Sequence, residues 1–207
     1  MLSLPTFSTP IEFETERLTL RQWSETDYAT FPRINSDPKV MEYFPKLLTP
    51  SESDELAQAL QGFIRQHGFG LWAAEITATG EFIGFVGLSV PNAELPFSPC
   101  VEVAWRIAAT HWGKAFAPEA AKEALRIGFE MLDLTEIVSF TAVGNHRSRK
   151  VMEKLSMQED LATFEHPSIA VGHPLEEHCL YRISYEYWLQ NLSSGRKLTR
   201  TLSKSHF

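Results

Sequence analysis

The chain has 207 residues, 43% hydrophobic and 22% charged, which suits one well-packed globular domain and leaves two cramped. Its net charge is −7, and removing the four positive charges of the acid-free end (Arg196, Lys197, Arg200 and Lys204) leaves the body at −11, which argues against nucleic-acid binding and favours cationic partners such as amines. With no apolar run near the roughly 20 residues of a membrane span and no leader-like start, a cytoplasmic protein without a membrane partner is expected, and Cys100 and Cys179 are too few for a disulfide framework or a zinc pair.

Residues 1–13 read as a flexible lead-in, 14–192 as a single domain and 193–207 as a basic, disordered tail. Arg17 to Trp23 alternates apolar and polar residues, as a half-buried strand does. Ser24 with Asp27 opens a helix that Pro32 and Pro38 are expected to keep short or broken. Thr49, Pro50 and Glu52 supply a cap, a first-turn proline and a capping-box acid for a second helix, whose Leu56, Leu60, Phe63 and Ile64 share a face. Two aromatic-rich segments, 68–76 and 81–90, flank Thr77-Ala-Thr-Gly80 as an antiparallel hairpin.

After a proline-bearing loop, 91–99, comes a strand over 100–107, a short turn and a helix from about Phe116 to Leu132. A strand over 136–142 and a helix opened by Asn145 complete a β-α-β-α unit. A loop with His166-Pro167 and His173-Pro174, a strand over 178–184 and a short helix near 186–191 follow. His166, His173 and His178 lack the helical spacing or partner cysteine of a zinc site, so no metal is expected.

The junction within Val101 to Ala121 carries the functional signal. A helix start presents free N–H groups and the positive end of the helix dipole, and Gly113 and Ala115 leave it unobstructed for a phosphate. Walker, dinucleotide-binding, nucleophile-elbow and zinc-helix motifs are all missing. An acid at Glu102, on the strand face opposite Val101, Val103, Trp105 and Ile107, is a poor choice for core packing.

In this order and spacing, Thr15-Glu-Arg-Leu-Thr-Leu-Arg21, Gly84-Phe-Val-Gly87, Trp112-Gly-Lys-Ala-Phe-Ala-Pro-Glu-Ala120 and Asn145-His-Arg-Ser-Arg-Lys-Val-Met-Glu-Lys-Leu155 resemble the GNAT acetyltransferases, in particular the RimJ/RimL-like branch that includes ribosomal-protein N-terminal acetyltransferases. The resemblance spans about Glu14 to Trp188. It implies an α+β, three-layer GNAT fold: a mixed, mostly antiparallel twisted sheet of about seven strands flanked by helices, with a V-shaped splay between the fourth and fifth. It also implies acetyl-CoA as cosubstrate, an amine acceptor (a protein N-terminus or a small amine), direct attack in a ternary complex, and a monomer or homodimer. The alternative is a catalytically weak acyl-CoA-binding or regulatory module of the same shape.

By the same resemblance, the backbone of Trp105, Arg106 and Ile107 pairs with the pantetheine arm. The amides from Trp112 through Gly113, Lys114, Ala115 and Phe116 to Ala117 take the pyrophosphate. Lys114 and Lys150 either add charge at the phosphates or are solvated surface lysines. Glu102 is the amine-binding group or base, or else the partner of an ion pair with Arg106. Ser148 hydrogen-bonds the departing thiolate or satisfies a helix start, and Asn145 caps that helix while contacting pantetheine or acceptor. Tyr43 and Phe44, with Phe97, suit an apolar acceptor cleft, and His178 and Tyr181 are acceptor-site candidates or packed strand residues. Two positions depart from the family pattern: Ala115-Phe116 replaces Gly-Tyr at the turn, and Ser156-Met157 replaces Gly-Phe after the last helix. Met152 stands where many members place a tyrosine acid.

Overall fold

A computed structural model describes residues 4–192 of the chain, so the basic tail lies outside the described residues. Its strands are β1 (Phe13–Glu14), β2 (Leu18–Arg21), β3 (Leu71–Ile76), β4 (Glu81–Ser89), β5 (Glu102–Ile107), β6 (Glu136–Ala142), β7 (Gln158–Glu159), β8 (Phe164–Glu165) and β9 (Glu177–Ser184). The helices are α1 (Glu25–Asn35), α2 (Pro50–His67), α3 (Phe116–Glu130), α4 (His146–Lys154) and residues 185–192, here α5. None is long and apolar enough to cross a membrane. All nine strands join one sheet in the order β1-β2-β3-β4-β5-β6-β9-β7, with β8 on β9. Six strands have four or more residues; β1, β7 and β8, of two residues each and too short to show an alternation, bring the count to nine against the expected seven or so.

Every strand pair is antiparallel except β5 with β6, which meet in parallel through one register pair, Glu102 opposite Val138. This is the expected splay, shifted by one in numbering because β1 precedes the first predicted strand. Helices cover both faces. Phe85 of β4 meets Phe31 of α1 at a ring separation of 6.0 Å, whereas Leu88 points the other way, toward Gly128 of α3. The alternation within β4 therefore assigns α1 and α3 to opposite sides of the sheet.

Local signals place most helix ends. Thr49 caps α2 through its hydroxyl, which accepts the Glu52 N–H, while Glu52 accepts the Thr49 N–H at 2.8 Å. Helix α1 runs on through Pro32 rather than breaking there, and stops at Asn35, before Pro38. Its start is anchored by Asp27, which accepts the Ser24 N–H at 2.8 Å and a two-pronged bond from Arg21 at 2.7 and 2.9 Å. Residues of the predicted lead-in lie against α2: Phe7 and Ile11 donate their N–H groups to the carbonyls of His67 and Gly68, and Ile11 accepts the Trp72 indole N–H at 2.7 Å.

The first and third sequence signatures lock together in space. Glu119, in the first turn of α3, accepts from the Thr15 hydroxyl at 2.7 Å and from Arg17 N–H at 2.9 Å and Nε at 2.7 Å. The start of α3 is thereby held against the β1–β2 corner. The second signature, Gly84-Phe-Val-Gly87, serves strand contact. Gly84 has φ +133°, and a Cβ there would collide with the Arg106 carbonyl oxygen of β5.

Two non-glycine residues occupy the left-handed region at helix ends: Ala115 (φ 63°) before α3 and Ser156 (φ 60°) after α4. These are the two positions at which the chain departs from glycine in the family pattern. Replacing either by glycine should raise stability by about 0.5–1 kcal/mol, a Tm gain of about 1–3 °C; calorimetry showing no gain in either variant would contradict the strain assigned here. The opposite change, Gly84→Ala, should cost about 3 kcal/mol, read as a lowered urea midpoint at unchanged slope.

Candidate active site

The splay turns β5 into two surfaces. Ala108 donates its N–H to Ile83 of β4 at 2.9 Å, and Val101 accepts the Val138 N–H of β6 at 3.0 Å. Alternation between these points directs the backbone groups of Glu102, Ala104 and Arg106 to β4 and those of Val103, Trp105 and Ile107 to the open splay. Of the three residues expected to pair with pantetheine, Trp105 offers a free backbone edge. Arg106 spends its backbone on β4, and the Ile107 carbonyl already accepts the Trp112 indole N–H at 2.8 Å.

The turn after β5 starts with a 3₁₀ turn, Ala109–His111, that consumes the Trp112 amide in a bond to Ala109. Trp112 therefore drops out of the expected amide cradle, and its indole becomes a wall of the site instead. From Gly113 to Ala117 no backbone N–H donates to an acceptor among the described residues. Ala115, as N-cap, has no side-chain acceptor for the first turn of α3, Pro118 carries no N–H, and Glu119 is turned away to Thr15 and Arg17. The helix start thus keeps its backbone N–H groups free of protein acceptors and is electropositive, which suits a pyrophosphate. Gly113 has φ +78° with open space where a Cβ would stand.

Across the splay, Asn145 caps α4 by accepting the Ser148 N–H at 3.2 Å. Its Nδ2 donates to Thr141 Oγ1 at 2.9 Å and Ser148 Oγ at 3.1 Å. The Ser148 hydroxyl, already an acceptor, keeps its own hydrogen free and lines the cavity. It makes no bond to backbone, so the reading of Ser148 as a backbone-satisfying serine is not met. Lys150 also lines the cavity, whereas Lys114 is exposed outside its lining.

The cavity between β5, β6, α4 and the α1–α2 loop has a volume of about 630 Å³, a size that suits a cofactor or drug-sized ligand. Glu102 stands on its wall, with Ser89 of β4 donating to its Oε2 at 3.4 Å. Burial pushes the Glu102 carboxyl up to about 8, and the Ser89 hydrogen bond offsets part of the rise. The expected alternative, an ion pair with Arg106, is absent among the described residues because the two stand four positions apart along the strand. Arg106 instead donates Nη1 to Asn35 Oδ1 at 2.6 Å, and Asn35 donates to Ser53 at 2.7 Å.

Of the acceptor-side candidates, Tyr43, Phe44 and His178 line the cavity and Tyr181 does not. Tyr181 is buried, its hydroxyl donating to Glu159 at 2.9 Å and accepting from Arg149 at 3.3 Å, so it belongs to the packed strand. His178 Nδ1 lies 3.1 Å from the Glu176 carbonyl, which can only accept, so that nitrogen carries the proton and Nε2 bears the lone pair. His166 packs 4.8 Å from it, and burial holds both imidazoles below their ordinary value. Among the described residues no group of three His, Cys, Asp or Glu is placed to hold a metal ion.

Two wall residues escape the sequence reading. Ser89 follows an ordinary apolar strand, and only its register opposite Glu102 marks it. Arg147 stacks over Trp112 at 4.6 Å and Tyr43 at 5.5 Å and bonds Glu42, joining α4 to the α1–α2 loop across the cavity mouth.

Residues 17–158 match the family model described as an acetyltransferase (GNAT) domain. The chain is 33% identical over 144 residues to the uncharacterized protein YkkB of Bacillus subtilis, covering 69% of this chain and 83% of that protein. It is 31% identical over 166 residues to an FsC-acetyl coenzyme A-N(2)-transacetylase of Aspergillus fumigatus, covering 76% of this chain and 69% of that enzyme. Similar folds include Mycobacterium smegmatis RimJ in complex with CoA-disulfide (TM-score 0.67, 18% identity, 89% of this chain and 94% of that one). Another is spermidine N-acetyltransferase from Vibrio cholerae in complex with CoA and spermine (TM-score 0.65, 22% identity, 83% and 98%). With its sheet, its splay and its family match, this chain belongs to the GNAT acetyltransferases.

Proposed function

We propose that this acetyltransferase moves the acetyl group of acetyl-CoA directly onto a primary amine, of a protein N-terminus or a small molecule, with both substrates bound together. The observation that carries the reading is the pairing, in one cavity, of an amide cradle at Gly113–Ala117, whose N–H groups have no acceptor among the described residues, with a buried carboxyl at Glu102. The cradle suits the pyrophosphate, and the free backbone edge of Trp105 suits the pantetheine arm as an added strand. Lys150 stands on the wall where it can meet phosphate charge.

An alkylamine is mostly protonated at neutral pH and cannot attack until it loses a proton. Glu102 is the acceptor of that proton. The neutral amine then attacks the thioester carbonyl, the carbon–sulfur bond breaks, and CoA leaves as a thiolate. Ser148 donates its free hydroxyl hydrogen to the sulfur, while the proton that completes CoA comes from the newly acylated nitrogen. Met152 is buried and carries no acidic hydrogen, whereas Ser148 of the same helix lines the cavity with a hydroxyl.

Incubation with acetyl-CoA and a panel of peptides and amines should release CoA stoichiometrically with acetylated amine. Binding of acetyl-CoA with no release on any acceptor would favour the non-catalytic module. Glu102→Gln should lower kcat/KM by about 10²- to 10³-fold, and Ser148→Ala by about tenfold through kcat.

The pH dependence follows in sign from the raised carboxyl. As a base Glu102 must be ionised, so wild-type kcat/KM should climb as pH rises through about 8, and Glu102→Gln should lack that limb. Stability runs the opposite way. A carboxyl with a folded value of about 8 binds more protons folded than unfolded, so its contribution is complete below about 4.5 and is lost as pH rises toward 8. Glu102→Gln should flatten the fall in Tm over that window.

A further inference from the structure

The acceptor end of the cavity holds one acid and one cation on the same face of one strand. Glu102 and Arg106 are four residues apart on β5, which places their Cα atoms roughly 13 Å from each other. Between them the floor is low: Ala104 sits opposite Gly87 of β4, and neither carries more than a methyl. A ligand lying along this face meets the acid at one end and the guanidinium at the other.

Arg106 is unusual for a withdrawn arginine. Among the described residues it pairs with no carboxylate: Nη1 donates to the neutral amide of Asn35, and Nε is buried without a partner. Phe44 lies 4.3 Å and Phe85 5.4 Å from the guanidinium carbon, clamping the group between two ring faces. Withdrawal from water pulls its pKa down to about 10, so it remains a cation at neutral pH. Ring faces and an amide oxygen orient this charge and leave it uncompensated, and buried charges are ordinarily paired. The carboxyl at the other end of the floor, raised by burial, is largely uncharged at pH 7, so it does not supply the missing anion.

We propose that the acceptor is a primary amine that also carries a carboxylate, the amine seated at Glu102 and the carboxylate on the open side of the Arg106 guanidinium. This rests on the proposed acetyl transfer at Glu102 and names its substrate class. The spacing requires several bonds between the two groups, as in an ω-amino acid or in a peptide N-terminus with an acidic residue close behind. A diamine is the disfavoured case, because its second ammonium would face Arg106.

Three compounds of one length isolate the charge: 6-aminohexanoate, hexylamine and 1,6-diaminohexane. Titrated calorimetrically into the CoA-loaded full chain, 6-aminohexanoate should bind at least tenfold tighter than hexylamine, and the diamine should bind more weakly than either. In Arg106→Gln the ratio of 6-aminohexanoate to hexylamine affinity should collapse toward one, and Arg106→Lys should restore part of it. Equal affinities for the three compounds in the wild type, or preference for the diamine, overturns the proposal without recourse to any variant. Turnover in the same series separates the two readings. A carboxylate preference in binding with no CoA release sinks acetyl transfer and leaves the Arg106 site standing; CoA release with no charge preference does the reverse. Peptides beginning Ala-Asp and Ala-Lys, run beside 6-aminohexanoate, identify which source of the carboxylate the site takes, and faster turnover of Ala-Lys than Ala-Asp also counts against it.

Discussion

Strand β5 is hydrogen-bonded along its length to β4 but touches β6 through one register pair, Glu102 with Val138. Beyond that pair the two strands part, and the site follows from the gap. Backbone groups cannot be left dry and unpaired, so the edge from the Val103 carbonyl to Trp105 must face water or a strand-like ligand. The parting is held open from both ends. Ahead of it, the Trp112 indole takes the Ile107 carbonyl; behind it, Asn145 ties the end of β6 to the start of α4 through Thr141 and Ser148.

Because side chains alternate along a strand, one short segment performs two duties. Val101, Val103 and Ile107 turn to the core under α3, where small residues such as Ala120, Ala121 and Ala124 are fully buried and let the helix lie close. Glu102, Ala104 and Arg106 turn to the acceptor side. An apolar residue in place of either charge would pack more easily there. The sequence instead places an acid and a base where burial raises one and leaves the other without a counter-ion, a departure from ordinary packing that belongs to a site.

The physics of a single segment decides how much was legible in advance. Elements whose signal is local were readable: the Thr49–Glu52 capping box, the hairpin around Thr77–Gly80, the Asn145 cap, the apolar run of β5. The two-residue strands were not, since pairing with β2 or β9 alone defines them. Among residues of the candidate site, Gly113 to Ala117 and Glu102 were singled out by turn chemistry and a misplaced acid, and all of them but Lys114 line the cavity. Ser89, Asn35 and Arg147 were not singled out, because each gains its meaning from a residue far along the chain. Tyr181 was ambiguous for the same reason: a strand tyrosine points to core or cleft according to register, and here the register opposite Ser139 with a partner at Glu159 decides for the core.

The body's negative charge argued for cationic partners such as amines, and the proposed acceptor keeps an amine, yet the cavity wall itself carries the opposite balance. Its charged wall residues are one acid, Glu102, and four cations, Arg106, Arg147, Lys150 and Lys154. Arg147 is paired with Glu42, and Lys150 and Lys154 stand on α4, where the phosphates of the proposed donor would pass. Arg106 has no anionic partner among the described residues and no part in the proposed donor site, and it sits on the acceptor side of the strand. Net charge is a property of the solvated surface, where ions screen it within about 10 Å. Selection of a ligand depends on the few charges it meets out of water, and those carry the opposite sign.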